Sequence, residues 1–148
     1  MKYLSFVLAA AFAATASAHD EGHGPRLSDA GKMGGVIAAV IEAKNAGLGP
    51  KARLIYKAEL VRLEDGTVRI YLYDKDMRPL KLDKFAKTAK ALIETHKNKK
   101  ISTLPFSLKL EGNAFIGKAP KPPKKPFNID AVFQEEKLKL LAAFDNLD

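Results

Sequence analysis

The chain has 148 residues, with 25 Lys and Arg against 17 Asp and Glu, and its formal net charge is +8. It contains no cysteine, which excludes disulfides, thiolate catalysis and thiolate metal sites. A chain of this length can fold around one hydrophobic core without further cross-links. Its basic surface would attract anions such as nucleic acid, anionic lipid or acidic polysaccharide.

The first 18 residues have the three parts of a secretory signal peptide. Lys2 supplies a positive charge, an apolar run follows it, and the small residues Ala16 and Ala18 end the segment. The apolar run is shorter than the roughly 20 residues that span a bilayer. We therefore predict cleavage after Ala18 and release of a soluble protein, without a transmembrane segment, into the periplasm of a Gram-negative bacterium.

Residues 19–32 are polar and rich in glycine, so we predict a flexible tail there. From Met33 the composition changes, and residues 33–148 read as one domain. Residues 34–43 are apolar and β-branched and fit a buried strand, although a short helix has a similar pattern. Residues 44–51 contain two Gly and one Pro and are predicted to form a loop.

The clearest local signal is a β-hairpin in the middle of the chain. Residues 52–63 predict one long strand, or two strands separated by a bulge, and Asp65-Gly66 predicts a tight turn. Residues 67–73 alternate in hydrophobicity. The alternation places Val68, Ile70 and Leu72 on one face and Tyr71 and Tyr73 on the other.

Further turns and short strands fill the rest of the chain. We predict a turn at 74–79 and strands at 88–95, 103–110, 114–117, 127–133 and 138–144. Seven or eight short strands with turns every 8–12 residues are typical of an all-β antiparallel sandwich.

Several strand and turn motifs stand out along the chain, namely Gly34-Gly35-Val36, Tyr56–Val61, Asp65-Gly66, Tyr71–Asp76, Pro79-Leu80, Phe115-x-Gly117 and Pro126–Ile129. In this order they resemble a small periplasmic domain that accompanies bacterial heavy-metal efflux systems of the resistance-nodulation-division class. In that family the domain is fused to the membrane-fusion adaptor or is a separate secreted protein. The resemblance implies an immunoglobulin-like sandwich and a role with Cu, Zn or related cations.

The chain departs from this family at Lys75, where the family often carries His. A lysine ammonium group would repel a metal ion. This departure weakens the assignment of Asp74 and Asp76 as metal ligands, and shaping a turn is their simpler role.

The strongest candidate metal site is the predicted mature N-terminus. His19 would offer its free amine and its imidazole as a chelating pair, and His23 would add a third nitrogen. Asp20 and Glu21 could contribute oxygen ligands. Such a donor set suits Cu(II) or Zn(II) as cofactor. The alternative is a polar tail that binds no metal.

Three other residues could bind metal but have simpler roles. His96 lies in a lysine-rich turn, where solvation is the simpler interpretation. Met33 and Met77 carry soft thioethers but can equally be packing residues.

We predict that the protein is not an enzyme, because no nucleophile, base and orienting group can be assembled from the sequence. The first hypothesis is a metal-binding or metal-efflux accessory domain with an efflux-system or envelope protein as partner. The alternative is a metal-free interaction module that uses an edge strand or the basic, proline-rich segment 118–126. A third hypothesis is a binder of envelope polyanions. Because the protein is predicted to be exported, nucleic acid is not expected as a partner, and the oligomeric state is not predicted.

Overall fold

The computed structural model describes residues 24–148, and their strands form one closed antiparallel sheet. A 3₁₀ helix, Ala43–Lys51, connects the first two strands. No helix in this part of the chain is long and apolar enough to cross a membrane. The strands are β1 Val36–Glu42, β2 Tyr56–Arg62, β3 Thr67–Tyr73, β4 Thr88–Lys97, β5 Lys100–Glu111, β6 Ala114–Lys118, β7 Phe127–Glu135 and β8 Leu138–Leu147.

The strands close into a barrel in the order β1-β2-β3-β6-β5-β4-β7-β8. Closure depends on β1, in which Val40 pairs with Tyr56 of β2 on one side and with Ala142 of β8 on the other. The prediction of an all-β chain with seven or eight strands is therefore confirmed. The predicted immunoglobulin-like sandwich is wrong, because one continuous ladder joins all eight strands instead of two separate sheets.

The barrel interior is filled by apolar side chains that alternate along the strands. In this interior the ring centroids of Phe115 and Phe133 lie 4.9 Å apart, and the Phe85 ring lies 6.3 Å from that of Phe115. Eight strands give an interior that side chains can just fill. The interior is therefore a packed core rather than a channel.

The predicted hairpin is present as β2 and β3. Its turn is closed by hydrogen bonds from the Leu63 amide to the Thr67 carbonyl (2.9 Å) and from the Gly66 amide to the Leu63 carbonyl (3.0 Å). As predicted, Val68, Ile70 and Leu72 share one face, and this face lines the barrel interior. The strand predicted at 52–63 begins only at Tyr56.

Part of the outer barrel surface is covered by residues 24–35, which we call the N-terminal segment. Leu27 packs against Ile41 and Leu141 on the outer face of β1 and β8. On the neighbouring strands, Tyr71 and Tyr73 are buried in a second outer cluster with Met77. Their burial leaves these two rings unavailable for stacking on a ligand.

Candidate functional site

The predicted metal ligands His19, Asp20, Glu21 and His23 lie outside the described residues. The N-terminal metal site therefore stays a prediction. Within residues 24–148, no group of three or more His, Asp or Glu side chains is arranged to hold a metal ion.

The weaker metal candidates within the barrel have other contacts. Asp74 Oδ1 accepts hydrogen bonds from the amides of Asp76 and Arg78, both at 2.9 Å, and these bonds shape the turn after β3. The bond from the Arg78 amide is the main reason why the pKa of Asp74 is lowered. His96 Nε2 lies 2.6 Å from Glu94 Oε1 on an exposed surface, and Met77 is buried.

A buried carboxylate, which the sequence analysis did not single out, lies on the outward face of β2. Glu59 is fully buried. Its Oε1 accepts hydrogen bonds from the amides of Met33 and Gly35, both at 2.8 Å. Its Oε2 accepts one from the Lys32 amide at 3.0 Å and one from Tyr73 Oη at 2.8 Å. All four donors belong to the protein, so Glu59 fixes the N-terminal segment rather than a substrate.

The surroundings of Glu59 support this structural role. A side chain on Gly31 would collide with Glu59 Oε1, and one on Gly35 would collide with the Leu60 carbonyl, so the segment approaches β2 more closely than other residues allow. Burial, followed by the hydrogen bond to Glu59, raises the pKa of Tyr73. This tyrosine therefore stays protonated and remains a hydrogen-bond donor.

The two ends of the barrel differ in how they are covered. At one end the loop between β3 and β4 inserts Leu82 and Phe85 into the core, and both side chains are buried. The Phe85 ring lies 6.3 Å from the ring of Tyr56. These side chains close this end, which we call the plugged end.

The opposite end carries the turns 63–66 and 98–99 and the proline-rich loop 119–126, and we call it the basic end. A groove of about 520 Å³ lies there between the β2–β3 turn and the loop. Buried interior side chains, namely Val68, Ile93 and Ile129, contribute to its lining.

A second cavity, of about 600 Å³, lies at the same end, and we call it the lysine cavity. Lys97 and Lys100 line it from β4 and β5, and Lys124 lines it from the proline-rich loop. Asn98 and Lys99 between the strands have positive φ, as a two-residue hairpin turn requires. The fold therefore brings together two lysine clusters that are about 20 residues apart in sequence.

Positive charge is dense at the basic end. Residues 62–66, 97–100 and 118–125 contain eight Lys and Arg and two acidic residues, Glu64 and Asp65. The acidic residue Asp148 lies at the same end, where its carbonyl accepts a hydrogen bond from Arg62. Asp65 Oδ2 lies 3.5 Å from Lys118 Nζ. Loops at the plugged end are also basic, but Asp74, Asp76 and Asp83 are interspersed among their cations. The basic end is therefore the better site for an anion.

The order of the predicted strands indicates that the two lysine clusters share one end of the fold, but not that they line one cavity. When successive strands along the chain run in opposite directions, every second connection lies at the same end. The β2–β3, β4–β5 and β6–β7 connections thus share one end, and two of them carry the lysine clusters.

Comparison of the chain with protein-family models, curated proteins and solved structures gives no significant match. The resemblance to a heavy-metal efflux domain therefore stays a prediction that is based on short motifs.

Proposed function

We propose that the protein is a non-enzymatic binding module of the cell envelope that holds anionic groups at its basic end. The observation that carries the proposal is the convergence of Lys97, Lys100 and Lys124 around one cavity. Because each barrel strand has two neighbours, we assign the interaction to the proline-rich loop and not to an edge strand.

The chemistry of the lysine cavity suits phosphate, sulfate or carboxylate groups. Lysine provides a mobile point charge rather than the planar fork with which arginine grips a single anion. Asn98 and Ser102 add polar groups to the same lining. Such a surface favours a ligand that presents several anionic groups.

Because the protein is predicted to be exported, its anionic ligand should be one that occurs in the cell envelope. Acidic polysaccharides and anionic lipids are present there, whereas nucleic acid is not an expected partner. The proposal assigns the protein no catalytic role, so it requires no nucleophile with an adjacent base.

Binding to heparin, a sulfated polysaccharide, tests the proposal directly. The triple variant Lys97→Gln, Lys100→Gln, Lys124→Gln should bind about tenfold to 100-fold more weakly than the natural protein, since each lysine near an anionic surface contributes about 1 kcal/mol. Raising the salt concentration to about 0.5 M should release the natural protein, because screening is then severe.

A matched control removes the same charge from the plugged end. The variant Lys81→Gln, Lys87→Gln, Lys137→Gln changes three exposed lysines there. It should bind heparin like the natural protein. Equal weakening by both triple variants would show that net charge alone drives binding, and the proposal would then be wrong.

A further inference from the structure

We infer that the natural ligand is an amphiphilic anion whose single alkyl or acyl chain lies in the groove of the basic end. The inference rests on the proposed function, because the same end must attract the charged group. The inference adds that the ligand has an apolar part, which binds in the groove.

The base of the groove is formed by the barrel interior itself. Val68, Ile93 and Ile129 belong to the main core cluster and also line the groove. At the plugged end the corresponding interior is covered by Leu82 and Phe85. At the basic end, Phe127 belongs to the same cluster and also lines the groove. These four side chains are at most 4% exposed, so the apolar surface that a ligand can reach is that of the walls.

The walls of the groove carry apolar residues beside charged ones, which include Glu64 and Asp65 on the β2–β3 turn. Leu63 lies on the β2–β3 turn, and Ala119, Pro120 and Pro122 lie on the proline-rich loop. The Ala119 amide donates a 3.0 Å hydrogen bond to the Gly66 carbonyl, which fixes the distance between the two walls at this point. The volume of about 520 Å³ lies within the range of about 300–1,000 Å³ for small-molecule sites.

The edge of the groove carries cations that can hold the charged group. Arg62 already donates a 2.7 Å hydrogen bond to the Asp148 carbonyl, and it lies over the Phe127 ring at 5.2 Å. Lys121 and Lys125 are exposed, and neither has a salt bridge in the described structure. These two lysines therefore remain to bind a carboxylate or phosphate.

An inorganic anion would use only part of this site. The lysine cavity offers charged and polar groups without the apolar base, and it lies beside the groove because Lys124 and Lys125 are neighbours on the loop. The groove adds the partly exposed apolar walls formed by Leu63, Ala119, Pro120 and Pro122. This surface gains free energy only when an apolar group covers it. Charge and apolar surface together match an amphiphile.

Titration calorimetry with octanoate, decanoate and dodecanoate, each below its micelle concentration, tests the inference on the protein from residue 19 onward. Burial of one methylene contributes up to about 0.8 kcal/mol, so each added methylene should strengthen binding by about twofold to fourfold. An affinity that does not depend on chain length would overturn the inference. Heparin binding would then still support the proposed function.

Two variants test separately where the alkyl chain and the charged group of the ligand bind. Ala119→Phe should fill the groove and abolish the dependence on chain length, while heparin binding stays unchanged. Lys121→Gln with Lys125→Gln should weaken binding of all three carboxylates by a similar factor and keep that dependence. If Ala119→Phe is folded, as verified by circular dichroism, and its affinity still depends fully on the length of the alkyl chain, the alkyl chain does not lie in the groove. If Ala119→Phe does not fold, titration of the natural protein with the three carboxylates still tests the inference.

Discussion

Tyr73 Oη donates a 2.8 Å hydrogen bond to Glu59 Oε2, and both side chains are buried on the outside of the barrel. The same carboxylate accepts the backbone amides of Lys32, Met33 and Gly35. Glu59 therefore holds the N-terminal segment against β2, while Tyr73 links this contact to β3. These contacts give the buried glutamate a structural role in the fold.

We expect Glu59→Gln to lower the free energy of unfolding by about 2–4 kcal/mol, because an amide cannot accept four hydrogen bonds and directs its own donor toward other donors. Tyr73→Phe removes one hydrogen bond and should cost about 1–2 kcal/mol. Urea unfolding monitored by circular dichroism measures both changes.

Tyr71→Phe is the matched control for Tyr73→Phe, because Tyr71 lies in the same outer cluster without a bond to Glu59. It should change stability by no more than about 0.5 kcal/mol. Natural stability in Glu59→Gln would show that the N-terminal segment does not depend on this carboxylate.

A second contact of the N-terminal segment is the ion pair between Lys57 Nζ and Asp29 Oδ2, at 2.7 Å. Only 10% of the Lys57 side chain is exposed, so Asp29→Asn should leave a poorly solvated charge and cost about 1–3 kcal/mol. Glu42→Gln removes the partner of Lys44, which is 76% exposed, and should cost less than about 1 kcal/mol. Thermal unfolding measures the stability of both variants, and an equal loss of stability in Asp29→Asn and Glu42→Gln would contradict this prediction.

The plug of the barrel should contribute strongly to stability. Phe85→Ala removes a buried ring that packs against Tyr56 and Phe115, and it should cost about 3–5 kcal/mol. Leu138→Ala changes a side chain at the same end that is 41% exposed, and it should cost less than about 1 kcal/mol. Chemical denaturation of the two variants provides the comparison, and a small cost for Phe85→Ala would show that the loop does not close this end.

Acid should destabilise the protein partly through Asp74. The amides of Arg78 and Asp76 stabilise its charged form and lower its pKa from 3.8 in the folded state. This stabilisation is present above the unfolded pKa and is lost as the pH falls through the folded pKa. The urea midpoint of Asp74→Asn should therefore fall less steeply between pH 5 and pH 2 than that of the natural protein. Identical slopes would contradict this assignment.

The predicted metal site can be tested separately from the barrel. If cleavage occurs after Ala18, the processed protein should bind Cu(II) more tightly than Zn(II), and His19→Ala with His23→Ala should abolish binding. His96→Ala is the control and should bind copper normally. Mass spectrometry of the secreted protein verifies the N-terminus, and unchanged copper binding in the double variant would exclude this site.

The sequence alone determined the local elements of this fold. Alternation placed Val68, Ile70 and Leu72 on one face, and Asp65-Gly66 located the hairpin turn. Both signals arise from neighbouring residues, since side chains alternate across a strand and a tight turn needs particular backbone angles. They are therefore readable without knowledge of the partner strands.

Only the tertiary structure decided that the strands close into a barrel and that two lysine clusters meet. An inward-facing residue has the same alternating pattern in a sandwich and in a barrel, so closure depends on the pairing of β1 with β8, which are about 100 residues apart. The partners of Glu59 were hidden for the same reason, because backbone amides 24 to 27 residues away carry no sequence signal.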